Sequence, residues 1–203
     1  QSLLVLEKEL SRLTSPITVL YGFIQHHEVR NVASGEWLKE LSRHSREDHV
    51  FLPYVTFEED NGLVRHAPER YLALPFRESL ATIALIERAY MKIKTKNRNY
   101  KKRLVTEQVL LEMNRITEQY GARFVLALLV VDHEVKSHYM SFCQTHNIRY
   151  MDCAYPLTPE MKVVGEGHPN GRMNSLWAEC IANALGEQTE IQKWSNQGMQ
   201  PTR

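Results

Sequence analysis

No run of residues in this chain approaches the roughly 20 apolar positions that a membrane-crossing helix requires. A basic segment followed by an apolar core and a cleavage site is also missing from its start, so no secretory leader is expected in these 203 residues. An excess of charge of either sign is lacking: 25 basic residues face 24 acidic ones, and the net charge of +1 argues for neither a polyanionic partner nor an anionic membrane. Cysteine is scarce. The three, Cys143, Cys153 and Cys180, are odd in number and widely spaced, which gives neither a disulfide framework nor a zinc pattern and predicts ordinary buried thiols.

What is present suits one α/β domain, since 203 residues with 43% hydrophobic content suffice for a sizeable core. The chain starts at Gln1 inside a helical pattern, with Leu3, Leu6, Leu10 and Leu13 on one face, which leads to the expectation that a segment precedes it. No compartment is assigned on that account. Thr14, Ser15 and Pro16 break this helix, and residues 17–24 read as an apolar strand. A polar loop at residues 25–31 follows, and a short helix over residues 35–43 comes next. Asp60-Asn61-Gly62 predicts a β-hairpin within residues 50–76.

Helices are expected over residues 77–94 and 104–120, the second stopping at Gly121. Between them Lys92, Lys94, Lys96, Arg98, Lys101, Lys102 and Arg103 accumulate without an acid. With Tyr100 as its one aromatic, this stretch reads as a solvated helix junction rather than a nucleic-acid surface. Residues 124–131 are continuously apolar, as in a parallel strand covered on both faces, and a helix over 133–146 leads to a strand at 148–152. The alternation predicts a three-layer αβα domain around a mainly parallel sheet, spanning residues 1–186, with residues 187–203 as a disordered tail.

The chemistry concentrates in Gly165-Glu166-Gly167-His168-Pro169-Asn170. This run opens a helix whose apolar face carries Met173, Leu176, Trp177, Cys180, Ile181 and Ala184, with Asn170 or Asn174 as the N-cap. A histidine acts as a general base when a nearby acid orients it and stabilises the imidazolium, which makes His168 and Glu166 the candidate pair. The bland alternative is a helix entrance with a surface histidine. The loop after the first strand offers His26, His27 and Asn31 as N–H donors, while Glu28 and Arg30 suggest a structural ion pair. Adjacent histidines point apart and no third ligand stands at a recognisable spacing, so neither a metal nor another cofactor is expected. Ser34 and Ser141 lie outside any strand-to-helix nucleophile turn and read as surface serines, and Cys143 falls within a helical pattern.

The early strand with its polar loop, the helix before Gly121-Ala122-Arg123-Phe124, and His168-Pro169-Asn170 before a final helix together resemble an SGNH (GDSL-type) hydrolase over residues 1–185. The resemblance implies a flavodoxin-like fold and a serine esterase or O-acyl hydrolase acting on a small-molecule or carbohydrate acyl ester. His168 is similar to the family's base, Glu166 stands in the place of its usual aspartate, and His26, His27 and Asn31 fall where the family stabilises an oxyanion. The Gly-Asp-Ser nucleophile block has no counterpart here. A truncated hydrolase that lacks its first strand is the expectation that reconciles these facts, with a sheet edge left open at residues 17–24 and poor solubility or dimerisation as the result. The alternatives are a non-catalytic binding or scaffold protein of the same fold and an SGNH-type O-acetyltransferase.

Overall fold

The computed structural model describes residues 1–13, 17–44 and 50–197, with side chains up to residue 186. Thr14, Ser15, Pro16 and residues 198–203 lie outside the described residues. The chain is mixed α/β and divides into two compact units, one made of residues 1–17 and 26–123, the other of residues 18–25 and 124–203.

The second unit holds a three-stranded parallel sheet, β1 (Thr18–Ile24), β4 (Arg123–Val130) and β5 (Arg149–Asp152), in the order β1-β4-β5. Its central strand is buried throughout Phe124 to Leu128, which is why those positions are apolar without alternation. Val125 pairs with Arg149 and Leu128 with Asp152 across the parallel ladder. α6 (His133–Thr145) makes the crossover, opened by Asp132, whose carboxylate accepts the Val135 N–H at 2.9 Å. Successive side chains of a strand point to opposite faces, and each face has its own helix. Val125, Ala127, Leu129 and Met151 meet Trp177, Ile181 and Ala184 of α7 (Gly171–Gln197) on one side. Phe23 meets Tyr139 of α6, ring centroids 4.5 Å apart, on the other. The expected αβα layering is thus realised in this unit. Within this sheet β1 and β5 are the edges. The helix α7 runs on to Gln197, into the stretch expected as a tail.

One expectation fails here. Cys153, just past β5, and Cys180, on α7, are joined by a disulfide, so two of the three cysteines are not free thiols. Spacing alone carried no sign of it, because the 27-residue separation is closed by α7 folding back over the sheet. Cys143 is buried and free as expected, and burial pushes its thiol up to about 12. Closing a loop of that length restricts the unfolded chain by an amount equivalent to about 3.5 kcal/mol. The double variant Cys153→Ser/Cys180→Ser should melt well below the parent, and adding dithiothreitol should lower the parent's melting point but not the variant's. Equal melting points with and without reductant would remove the crosslink from the account.

The first unit is helical around α5 (Lys102–Gln119). α1 (Ser2–Leu10) packs on α5 and buries Leu3, Leu6 and Leu10. The strands β2 (Leu52–Glu58) and β3 (Gly62–Glu69) form the expected antiparallel hairpin and also contact α5. Its turn needs Gly62, whose φ of +68° is unfavourable for a residue with a Cβ, and Asn61 donates to Glu58 at 2.8 Å. α3 (Gly35–His44) and α4 (Ala81–Tyr100) enclose a second core of Ala33, Leu38, Leu52, Tyr71 and Met91. Ser34 is a correction. It is 2% exposed, and its hydroxyl caps α3 by accepting the Trp37 N–H at 3.2 Å.

Candidate functional site

The turn that bears Glu166 and His168 is specified by its backbone. Gly165 and Gly167 flank Glu166 with φ of +81° and +72°, and a side chain at either position would be strained although open space surrounds both. The turn is closed by the Val163 N–H donating to the His168 carbonyl at 2.7 Å, and by a short antiparallel bridge between Lys162 and Pro169. Asn170 then ties this turn to the helix behind it. Its carboxamide oxygen accepts the N–H groups of Arg172 and Met173 at 3.0 and 3.4 Å, while its Nδ2 donates to the carbonyls of Glu160 and Lys162. Of the two asparagines considered as N-cap, Asn170 is therefore the one that serves. Met173, fully buried, anchors the first turn of α7.

Within this frame Glu166 Oε2 lies 3.8 Å from His168 Nδ1, in ion-pair range but too long for a hydrogen bond. The side chains are 68% and 78% exposed, so the pair contributes little to stability. Its geometry does permit one chemical role: Glu166 beside Nδ1 favours a proton there and leaves Nε2 to accept one. Among the described residues no serine hydroxyl is hydrogen-bonded to the His168 ring.

His26, His27 and Asn31 belong to the first unit, and Glu166 and His168 to the second. The polar loop expected at residues 25–31 contains a short helix, α2 (His27–Asn31), whose Arg30 N–H bonds the His26 carbonyl. His26 is exposed; Asn31 donates through Nδ2 to the buried Thr106 hydroxyl at 3.1 Å. Glu28, 4% exposed, receives Arg103 at 3.2 Å and Lys102 at 3.8 Å from α5, and the Arg30 guanidinium lies 4.4 Å over the Trp37 ring. Two cations of the basic stretch are thus structural partners of a buried carboxylate, which sequence position did not disclose because they arrive from 75 residues away.

His27 is held neutral. Burial, and then the Arg30 charge and His26, lower its pKa to about 4 from 6.5. Because the unfolded chain binds this proton more readily, stability is complete above pH 6.5 and declines as pH falls toward 4. At pH 4.5 the loss should be about 2 kcal/mol after allowance for partial exposure. The substitution His27→Gln should remove that part of the pH dependence in urea unfolding, and the His27 ring should stay neutral to pH 5 in a nuclear magnetic resonance titration. A midpoint near the ordinary histidine value would overturn this reading.

Groups of three or more His, Cys, Asp or Glu side chains able to hold a metal ion do not occur among the described residues. No helix among them is long and apolar enough to cross a membrane. Compared with family models, curated proteins and solved structures, the chain matches none.

Proposed function

We propose that this chain carries the general base of an SGNH-type acyl-ester hydrolase, with His168 accepting a serine hydroxyl proton through Nε2 as that oxygen attacks an ester carbonyl. Glu166 stabilises the imidazolium formed in that step and sets the ring's tautomer. His168 then returns the proton to the departing alcohol, and water releases the acyl group by the same route. A small-molecule or carbohydrate acyl ester is the proposed substrate class. Transfer of the acyl group to a sugar hydroxyl uses the same base with another acceptor.

The observation that carries the proposal is the Glu166–His168 pair on a glycine-shaped turn that Asn170 locks to α7, following the last strand of the parallel sheet. Such a turn presents an acid and a base to solvent from a fixed support, at no evident gain in stability. The serine must come from elsewhere than the His168 surroundings described above. The test is therefore made on the protein expressed from its natural coding sequence, with a fluorophosphonate probe and p-nitrophenyl acetate. Serine labelling together with hydrolysis that depends on His168 supports the proposal. Without labelling or turnover, the chain belongs to the non-catalytic binding class of the same fold.

A further inference from the structure

The overall charge balance conceals an uneven distribution in the first unit. Six of the seven cations of the basic stretch sort into three groups once α4 and α5 are formed. Lys94 and Arg98 turn to Glu69, Lys102 and Arg103 turn to Glu28, and Lys92 and Lys96 turn elsewhere. With Arg88 they make a stripe at four-residue spacing along α4, so all three project from adjacent turns of one face. That stripe lines a cleft of about 630 Å³ between α3 and α4, to which, among the described residues, Lys39 of α3 adds a fourth cation and Glu36 the single carboxylate. The volume lies in the range of small-molecule sites.

We propose that this cleft binds a phosphate-bearing anion, either a soluble phosphate ester or the headgroup of an anionic lipid. Four cations line it and none of them forms an ion pair with a described residue, whereas the neighbouring Lys94 and Arg98 are paired with Glu69. The floor is rigid: Tyr71, 6% exposed, is pinned by its hydroxyl donating to the buried Glu87 carboxylate at 2.8 Å, and Gly35 approaches Thr95 with a 3.3 Å N–H···O contact. Among the described residues the cleft carries three net positive charges, four cations less one carboxylate, which favour anions of multiple charge because each added negative charge is attracted by several cations at once. Leu85 and Ile93 stand exposed on the same helix, which is the reason to consider a lipid surface as the second source.

The experiment is calorimetric titration of the full chain with inorganic pyrophosphate, alongside flotation with vesicles of phosphatidylcholine with and without phosphatidic acid, at low and moderate salt. Saturable pyrophosphate binding that weakens with salt and falls by about tenfold or more in Lys92→Ala/Lys96→Ala establishes the site with a soluble ligand. Flotation restricted to the acidic vesicles and lost in the same variant establishes it with a lipid headgroup. The pair Lys92→Arg/Lys96→Arg should retain binding in either case. Absence of binding in both arms by a cooperatively folded chain overturns the proposal, as does binding that the alanine pair leaves unchanged.

Discussion

Replacing Arg98 by alanine lowers the unfolding free energy by about 3–5 kcal/mol, the range found when one member of a buried ion pair is removed. The Arg98 side chain is 8% exposed, donates through Nη1 to Glu69 and through Nη2 to the Ala33 carbonyl at 2.7 Å, and its guanidinium lies 4.3 Å over the Tyr54 ring. Truncation leaves Glu69, 14% exposed, with Lys94 as its remaining cation and strips the Ala33 carbonyl of its donor. Ala33 itself is held at φ +42°, so the loop before α3 loses support where its backbone is least favourable. Burial acts to raise the Glu69 pKa, but hydrogen bonds and charges from Arg98 and Lys94 outweigh it and hold the carboxyl below its ordinary value. That contribution is present above the unfolded carboxyl pKa and is lost as pH falls through the folded one. Urea unfolding at pH 7 checks the prediction. A shift in midpoint corresponding to less than about 1 kcal/mol would show that Arg98 is dispensable, and Lys96→Ala, on the solvent side, should stay within about 0.5 kcal/mol of the parent.

Ester turnover in the natural protein falls about a thousandfold or more when His168 is replaced by alanine, if His168 is the base proposed above. The fold should not follow. With 78% of its side chain exposed, the ring can be removed with a change in stability within about 0.5 kcal/mol. Glu166→Gln keeps the size and loses the charge, and since the two groups stand 3.8 Å apart its effect should be smaller, about tenfold to a hundredfold in kcat. Undiminished turnover in His168→Ala would remove this histidine from the mechanism. Parallel loss of turnover and of the melting transition would mark it as structural instead.

The stabilising and the proposed catalytic residues differ in how far local pattern exposes them. His168 and Glu166 were singled out because a glycine-rich turn before an amphipathic helix is a short-range signal, and the same run offered Asn170 or Asn174 as a cap, of which Asn170 serves. Arg98 was not. In sequence it sits among like charges and reads as solvated, yet its position on α4 puts it on the same side as Glu87, Met91 and Thr95, all buried. Helical phase separates it from Lys96 two residues earlier, and only the presence of Glu69 on β3 explains why a charge is tolerated there. The bond between Cys153 and Cys180 escaped for a related reason, since pairing depends on where two distant Cα atoms end up, here 5.8 Å apart.

By itself the sequence determined the local periodicities: a hairpin at Asn61-Gly62, a strand of uninterrupted apolar residues before the α6 crossover, and amphipathic helices whose caps and glycine stops bound them. These are decided within a few residues, where backbone sterics and the spacing of apolar side chains suffice. Tertiary structure decided which charges are buried, which are matched and which are left facing a cleft, and it joined the two cysteines. Those outcomes depend on residues tens of positions apart being brought within a few ångströms, and neither composition nor spacing encodes that distance.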